Sequence, residues 1–203
     1  MDPARRTHVP SGGLAEYSRR LYEVPSAVLD GRCSLSRLRA WVLSMMNAVV
    51  CTKYGPPEVL VVRQVPKPSP KAEEVLIRIH ATTVTASDVL IRQMAGNVFM
   101  RLLLKAVFGF RRPRNPILGM ACSGVVEATG EKVTKFRPGD LVFAYGAMSA
   151  MVRRFGSYAE FLCLPEEWNL LGKPESLSHK QAAALPYGGF LAWHCVHGRI
   201  QPG

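Results

Sequence analysis

The sequence lacks paired cysteines, and it lacks an apolar run long enough to cross a membrane. Its five cysteines are scattered with no C-x-x-C pair, at positions 33, 51, 122, 163 and 195. This spacing argues against a zinc ribbon or a disulfide framework and is typical of a reducing compartment. The longest apolar stretch, 98–110, is interrupted by Arg101 and Lys105, and it falls short of the roughly 18 residues of a membrane span.

Acidic residues are also scarce. The sequence has 15 Asp and Glu and 26 Lys and Arg, which give a formal net charge of +11. Such a balance invites a nucleic-acid interface, but its distribution argues against one. Residues 1–45 contribute +3, and the other +8 is spread over several loops. Arg111, Arg112 and Arg114 do cluster, yet no regularly spaced aromatic residues stand beside them to stack on bases. We therefore predict a solvated basic loop and no nucleic-acid partner.

A third absence limits any catalytic prediction. No G-x-G-x-x-G sequence occurs anywhere in the 203 residues. Binding the pyrophosphate of a dinucleotide requires the close backbone N–H groups that such glycines supply at the start of a helix. The sequence therefore contains no recognisable dinucleotide site.

The most informative segment that is present spans residues 116–145. Two short apolar runs, 123–128 and 141–144, are separated by Gly130 and by a Pro-Gly-Asp turn at 138–140. Proline presets the first turn angle and glycine accepts a positive φ at the second, so the sequence predicts a type II turn. Short strands rich in Val and Leu, with turns at this spacing, are typical of an all-β barrel or sandwich.

The rest of the pattern predicts a mainly β chain with flanking helices. Strands are expected at 46–51, 58–64, 74–84, near 119–129, 140–145 and 157–163, and helices at 86–94, 97–109, 178–185 and 189–197. Ser178 followed by Gln181 has the form of a capping box, which supports a helix start at that point.

Several segments resemble the zinc-independent quinone oxidoreductases of the medium-chain dehydrogenase/reductase superfamily. They are 46–60 (MNAVVCTKYGPPEVL), 74–88 (EVLIRIHATTVTASD), 116–145, 157–165 and 181–193 (QAAALPYGGFLAW). The resemblance implies a GroES-like β-barrel at 46–175, which is the substrate-side domain. It also implies that 176–203 are helices leading to a nucleotide-binding domain of the Rossmann type, which the chain as given lacks.

Residues 1–45 do not share in this resemblance. We expect an Arg-rich upstream extension that is poorly ordered or a loose helix, and a cytoplasmic protein. The alternative is a transit peptide with an organellar location, since such segments are rich in Arg and Ser. The four acids at positions 2, 16, 23 and 30 fit that alternative poorly.

The resemblance further implies that the chain binds no zinc. Where the zinc-dependent branch has a cysteine, three residues before an aspartate, this sequence has Thr85 ahead of Asp88. The G-H-E motif of that branch becomes Gly-Met-Ala at 119–121, and its later cysteine becomes Tyr187 by a looser match. Because a catalytic zinc needs Cys, His or Glu ligands, none of these positions can supply one. The structural zinc lobe with four cysteines is missing as well.

The zinc-independent relatives hold a quinone or another conjugated carbonyl while the nicotinamide delivers hydride, so the full-length family is expected to use NADPH or NADH. The resemblance implies Thr85 and Asp88 as catalytic candidates, Tyr54 and Tyr187 as cofactor contacts, and Tyr145, Leu90 and Arg92 as substrate contacts. Each has a structural alternative. Thr85 could be satisfied by backbone, Asp88 could cap a helix, Arg92 could pair with Asp88, and the tyrosines could pack at the barrel rim.

The segment 97–109 has apolar residues that nearly encircle its predicted helix, so we expect it to be buried against another surface. It could be a lid over the substrate cleft, in keeping with a bulky apolar substrate. The same face could make a subunit contact in a homodimer. Residues 97–114 could also attach loosely to a membrane surface, helped by Arg101, Lys105, Arg111 and Arg112.

Two hypotheses for the function follow. The first is the substrate-side domain of an NAD(P)H-dependent oxidoreductase that reduces a quinone or an α,β-unsaturated carbonyl without zinc, incomplete as given. The second is a non-catalytic, stand-alone GroES-like binding module or a truncated product. Genomic sequence just downstream of Gly203 discriminates between them, because the first hypothesis requires a strand followed by a glycine-rich loop.

Overall fold

The computed structural model describes residues 44–146 and 156–197. The extension predicted at 1–45 therefore lies outside the described residues, except for its last two positions. Met45 already belongs to the first strand, one residue before the predicted start. The rest of the predicted extension stays a prediction.

Seven strands and three α-helices make up the described part of the chain. The strands are β1 (Met45–Cys51), β2 (Leu60–Pro66), β3 (Glu74–Thr82), β4 (Ala121–Thr129), β5 (Leu141–Tyr145), β6 (Phe161–Pro165) and β7 (Leu170–Gly172). The α-helices are α1 (Ala86–Gln93), α2 (Val98–Phe108) and α3 (His179–Val196), and a short 3-10 helix, Pro57–Val59, precedes β2. The mainly β fold with flanking helices is confirmed, whereas β7 has no counterpart among the predicted strands.

The strands form two antiparallel sheets. The larger sheet has the order β6-β3-β4-β5-β7, and β1 and β2 form a two-stranded sheet of their own. β4 is the central strand of the larger sheet, and its ladder with β3 carries two register shifts. Such irregularities increase the local twist of a sheet, which curves the larger sheet toward the shape of a barrel.

The described strands do not close into the continuous barrel that the resemblance implies. One edge of β1 is paired along its length with β2. Its other edge meets the larger sheet only through isolated bridges, from Ala48 to Ala159 and from Val50 to Ile117. Because β1 faces loop residues on that side, a full ladder does not form, and the barrel is partly open.

The core consists of two clusters of buried apolar side chains. The first lies on the larger sheet and contains Val75, Ile77, Cys122, Val126, Val142, Ala144, Leu162, Leu164 and Leu170. The second joins β1 and β2 to neighbouring loops and contains Met46, Ala48, Val50, Val65, Ile117 and Tyr158. Burying each large aliphatic side chain contributes about 1.5–3 kcal/mol, so these clusters hold the sheets together.

The helix start predicted at Ser178 is confirmed, but the predicted pair of helices is wrong. The Ser178 side chain accepts from the Gln181 N–H at 3.3 Å, and the Gln181 side chain accepts from the Ser178 N–H at 2.9 Å. From there α3 continues without a break through Pro186. Proline removes one helical hydrogen bond, but α3 packs against β3, β4 and β5, and this packing outweighs the local preference for a break.

The helix predicted at 97–109 exists as α2, but nothing in the described part of the chain covers it, so the surface against which it was expected to be buried stays a prediction. Asn97 caps its start, accepting from the Met100 N–H at 2.9 Å. No residue of α2 is buried, and Val98 and Phe99 are 82% and 75% exposed. The core clusters are closed by side chains from the strands and loops, so α2 lies on the outside of the fold.

The Pro-Gly-Asp turn has the predicted backbone. Gly139 has a φ of +98°, which is the left-handed conformation that the second position of a type II turn requires. The Arg137 N–H donates to the Asp140 carboxylate at 2.8 Å, so the turn is also held by a side chain. This turn leads into β5.

We expect glycine substitutions to separate two kinds of constraint in the sheet. A Cβ on Gly124 would lie 2.1 Å from the Arg78 carbonyl oxygen, and such overpacking costs about 1–3 kcal/mol or more. Gly139 has open space but a positive φ, so G139A should cost about 1–2 kcal/mol. Gly172 has neither constraint, and G172A should change stability by less than about 0.5 kcal/mol. Urea unfolding of the three variants tests this ranking, and a G172A variant as unstable as G124A would contradict it.

Candidate functional site

The candidate site lies where β3 ends and β4 begins. Thr82, the last residue of β3, pairs with Cys122 across the ladder. Its hydroxyl donates to the Ala121 carbonyl at 2.9 Å and lies 2.7 Å from the Ser157 hydroxyl. These contacts fix the point from which the chain leaves the sheet toward α1.

Thr85 and Asp88 form a capping box at the start of α1. The Asp88 carboxylate accepts from the Thr85 N–H at 2.8 Å and from the Thr85 hydroxyl at 2.6 Å. The Asp88 N–H in turn donates to the Thr85 hydroxyl at 3.3 Å. Both residues are buried. The capping role that was one alternative for Asp88 is therefore confirmed, and the catalytic roles of the pair stay predictions.

This bonding decides what the Thr85 hydroxyl can do. A threonine hydroxyl has one proton and two acceptor lone pairs. The proton is directed to Asp88, and one lone pair receives the Asp88 N–H. In this arrangement Thr85 can accept a hydrogen bond from a bound molecule, but it cannot donate one to a carbonyl without releasing Asp88.

The Tyr158 hydroxyl lies beside the same carboxylate and was not identified from the sequence. It is buried, and in the described part of the chain it makes no hydrogen bond of ordinary geometry. Burial raises the pKa of Tyr158 well above its usual value, and the neighbouring Asp88 carboxylate raises it further. The phenol therefore stays protonated at neutral pH and is a donor with unused capacity.

Tyr145 and Tyr187, a predicted substrate contact and a predicted cofactor contact, lie together. Their rings meet edge to face, with 6.3 Å between centroids and 73° between planes. Burial raises the pKa of Tyr145, and Tyr187 and Asp88 add to the shift. Tyr145 is thus within electrostatic reach of the capping box, so Thr85, Asp88, Tyr145 and Tyr187 belong to one neighbourhood.

Tyr54 and Arg92 are engaged elsewhere. The Tyr54 hydroxyl donates to the Gly109 carbonyl at 2.8 Å, and burial raises the pKa of Tyr54 to about 12. The Arg92 guanidinium donates to the Gly55 carbonyl, so the alternative of an ion pair with Asp88 is wrong. The Gly55 N–H also donates to the Arg92 carbonyl at 2.9 Å. No ring contact or hydrogen bond between described residues joins Tyr54 to Tyr187.

Leu90 lies on the exposed side of α1, whereas Asp88, Ile91 and Arg92 are buried. Beside Asp88 is a cavity of about 30 Å³, lined mainly by apolar side chains that include Val107, Phe108 and Met120. A cavity of this size holds about one water molecule. It is too small for a quinone.

The three positions that correspond to zinc ligands are each linked to this site through a neighbour, since Thr85 binds Asp88, Met120 lines the cavity beside Asp88, and Tyr187 contacts Tyr145. They hold Thr85, Met120 and Tyr187. Met120 lines the cavity beside Asp88, and its carbonyl accepts from the N–H of Gly146, the residue after Tyr145, at 2.7 Å. Across residues 44–146 and 156–197, no group of three or more His, Cys, Asp or Glu could hold a metal ion.

The pyrophosphate of a nicotinamide cofactor does not fit any helix start in the described residues. Such a group needs glycine-flanked backbone N–H groups that are free at the helix N-terminus. The starts of α1, α2 and α3 are instead capped by the side chains of Thr85, Asn97 and Ser178. We therefore assign no residue of 44–146 and 156–197 to the pyrophosphate.

A second polar cluster was missed from the sequence. The Ser123 hydroxyl lies 2.8 Å from the Val142 carbonyl and 2.8 Å from Nδ1 of His179. His80 stacks on His179, with ring centroids 4.6 Å apart. A serine beside a histidine can be an activated nucleophile, but Ser123 is completely buried and no substrate reaches it. The cluster is structural, and no local signal predicted it because its members come from β3, β4 and α3.

Comparison with known proteins agrees with the resemblance. Residues 71–175 match the family of the alcohol dehydrogenase GroES-like domain. The chain is 36% identical over 149 residues to the quinone oxidoreductase of Sus scrofa, covering 73% of this chain and 40% of that protein. It is 30% identical over 132 residues to the mitochondrial NAD(P)H oxidoreductase RTN4IP1 of Dictyostelium discoideum, covering 65% and 34%. The solved quinone oxidoreductase from Coxiella burnetii matches with a TM-score of 0.63 and 28% identity, covering 78% and 47%.

The GroES-like fold, with three zinc positions that carry no zinc ligand, defines the zinc-independent class of medium-chain dehydrogenases/reductases. The chain belongs to the alcohol dehydrogenase GroES-like domain family, and the expected family is confirmed. It spans about 40% of the length of the curated relatives that it matches. The activity of a whole enzyme is therefore a matter for proposal.

We expect D88A to destabilise the fold more than the removal of the other capping box. D88A leaves the buried N–H and O–H of Thr85 without an acceptor, which costs about 1–3 kcal/mol. Q181A removes the equivalent interaction at the exposed start of α3 and should cost about 0.5 kcal/mol. Urea unfolding of both variants measures the difference. Equal losses would show that burial of the Asp88 box adds nothing.

We also expect His179 to weaken the fold in acid. Burial lowers the pKa of His179, and the charges of His80 and Lys173 lower it further. The folded state therefore binds this proton less readily than the unfolded state, whose pKa is about 6.5. Stability is unaffected well above pH 6.5 and falls as the pH drops through that value. H179Q should remove this part of the acid-side loss in thermal melts, whereas H194Q should not, and identical pH profiles for H179Q and the parent chain would contradict the assignment.

Proposed function

We propose that the chain is the substrate-side part of an NAD(P)H-dependent oxidoreductase that reduces a quinone or an α,β-unsaturated carbonyl without zinc. The observation that carries this proposal is the gathering of Thr85, Met120 and Tyr187 at one site. These residues occupy the positions of zinc ligands in the zinc-dependent branch, so a hydroxyl, a thioether and a phenol stand where the ligands would be. A carbonyl at such a site would be activated by hydrogen bonding rather than by a metal ion.

The hydrogen-bond inventory favours the phenols of Tyr145 and Tyr187 as donors. Donors that face an oxygen on which negative charge develops accelerate reduction of a carbonyl. The Thr85 proton is already directed to Asp88, whereas no described hydrogen bond occupies the two phenols. Because burial raises the pKa of Tyr145, its proton is retained at neutral pH. We assign Thr85 and Asp88 to positioning the start of α1 beside these donors.

The surface of α3 supports a larger protein. Its exposed apolar side chains are Leu185, Phe190, Leu191, Trp193 and Val196. An apolar patch on this scale marks a contact surface, and the curated relatives are more than twice as long as the matched region. We propose that a nucleotide-binding domain packs against α3 near Tyr187.

We also propose a cytoplasmic location for this protein, although the Dictyostelium relative is named mitochondrial.

The alternative is a stand-alone binding module without catalysis. It is favoured by the helix starts in the described residues, all three of which carry their own capping side chains and offer no place for a pyrophosphate. Such a module would bind a small apolar molecule near Tyr145 and Tyr187 without turning it over. The two proposals differ in what happens when a nucleotide-binding domain is supplied.

The 203-residue chain alone should bind NADPH weakly or not at all, and it should not oxidise NADPH in the presence of a quinone. Hydride transfer requires the nicotinamide within about 3–3.5 Å of the acceptor atom, and no helix start in the described residues offers a place for the pyrophosphate. Fusing the nucleotide-binding domain of a related quinone oxidoreductase after Gly203 should restore NADPH binding and quinone-dependent oxidation. Titration calorimetry and absorbance measure the two properties. Tight, saturable binding by the chain alone would refute the account, and binding without turnover in the fusion would favour the module.

Variants of the active fusion then separate the proposed roles. Y145F and Y187F each remove one phenol while keeping the ring, and loss of the donor that faces the carbonyl should lower kcat by about 100-fold. Y54F is the matched control, since the Tyr54 hydroxyl is directed to Gly109. Unchanged kcat in both Y145F and Y187F would exclude the phenols as donors. A loss of NADPH affinity in Y54F would instead support its predicted cofactor contact.

A further inference from the structure

The outer face of α2 is apolar and points to solvent. At helical spacing, Val98 and Leu102 form one row and Phe99 and Leu103 form the next. All four side chains are exposed, and α2 contributes nothing to the buried core. Exposing this much apolar surface to water is unfavourable. The face therefore has the character of a contact surface.

A row of cations flanks this apolar face. Arg101 and Lys105 are four residues apart and lie along the edge next to Val98 and Leu102. Together with Tyr54, Phe110 and Arg111, they line an open basin between α2 and the end of α1. The basin has no acidic residue in its lining. The basin therefore carries a cluster of positive charges next to an apolar surface.

The charge around this basin is unbalanced over a long stretch. No Asp or Glu occurs from residue 89 to 126, whereas six Lys and Arg do. Arg101, Lys105, Arg111 and Arg112 form no salt bridge in the part of the chain that the structure describes, where the ion pairs use other cations. Unpaired cations on one face favour a negatively charged partner.

The underside of α2 is held firmly enough to present this face in a fixed direction. The Tyr54 hydroxyl donates to the carbonyl of Gly109, which directly follows α2. The Arg114 N–H donates to the Phe108 carbonyl at 2.7 Å, and Asn97 caps the other end. The apolar rows and the cationic edge are therefore turned outward together.

We propose that α2 and the basic segment after it bind the surface of an anionic phospholipid membrane. Phe99, Leu102 and Leu103 would enter the boundary between headgroups and acyl chains, while Arg101, Lys105 and Arg111 contact lipid phosphates. This division of apolar face and cationic edge is characteristic of helices that lie in a membrane interface. The inference does not depend on the proposed reductase activity, because none of these residues belongs to the Thr85–Tyr187 site.

Two features favour a membrane surface over other occupants. A second copy of the chain on the same face would bring two sets of unpaired cations together, and like charges repel. Spanning is ruled out for the described helices, since none is long and apolar enough to cross a membrane. With 11 residues, α2 is about 16 Å long and suits a position parallel to the membrane plane.

Vesicle co-sedimentation of the full chain tests the proposal. The chain should bind phosphatidylcholine vesicles that contain phosphatidylserine, and bind pure phosphatidylcholine vesicles at least about tenfold more weakly. Added salt should weaken the binding, because it screens the charges. Equal binding to both vesicle types, or no binding to either, would overturn the proposal.

Matched variants locate the contact. R101Q/K105Q should weaken binding to the anionic vesicles by about 25-fold, since each cation near such a surface contributes about fivefold. R63Q/R137Q removes the same charge from other exposed positions and should have little effect. If both pairs of substitutions weaken binding equally, general net charge and not α2 is responsible.

The apolar face needs a separate test. F99S/L103S should weaken binding by about tenfold or more with an unchanged thermal midpoint, since neither side chain is buried. V62S/L171S is the control, because it removes two exposed apolar side chains elsewhere. Sedimentation velocity distinguishes the competing occupant. A dimer of the parent chain that F99S/L103S dissociates would overturn the membrane proposal in favour of a second copy.

Discussion

The pairing of β3 with β4 is the constraint on which the rest of the structure depends. β4 is the central strand of the larger sheet, and together with β3 it supplies Val75, Ile77, Cys122 and Val126 to the core. Gly124 allows the two backbones to approach so closely that a single methyl group would collide with the Arg78 carbonyl. At the end of this pair the Thr82 hydroxyl donates to the Ala121 carbonyl. There β3 leads on to α1, and Met120 lies directly before β4. The candidate site thus inherits its position from the sheet.

At that site the fold satisfies a buried carboxylate at the expense of a possible catalytic donor. Burying an unpaired charge would be costly, and Asp88 avoids the cost by accepting two hydrogen bonds from Thr85. The same bonds take up the only proton of the Thr85 hydroxyl. No hydrogen bond between described residues occupies the phenols of Tyr145 and Tyr187, whereas the Tyr158 hydroxyl is buried and out of reach of a substrate. A residue that family resemblance singles out as chemical can in this way serve mainly to position others.

Local sequence signals predicted what local physics decides, and they failed where distant contacts decide. The turn at Gly139 and the capping box at Ser178 follow from the backbone needs of a few adjacent residues, and both were predicted. The two helices predicted at 178–185 and 189–197 are one, because the packing of α3 on the sheet outweighs the effect of Pro186. The Ser123–His179 contact joins residues 56 positions apart, so no short sequence pattern predicts it. The placement of Tyr158 beside Asp88 was missed for the same reason.

The case of α2 shows the limit of hydrophobic patterning in a different way. An all-round apolar helix indicates that something covers it, but the pattern contains no information on what that is. An isolated helix of this length is marginal in water, so α2 depends on its anchors at Asn97 and at Gly109. The Gly109 anchor is Tyr54, and the next residue, Gly55, is bound to Arg92 in α1. The helix that holds Asp88 and α2 are therefore joined through the hydrogen bonds of Tyr54 and Gly55.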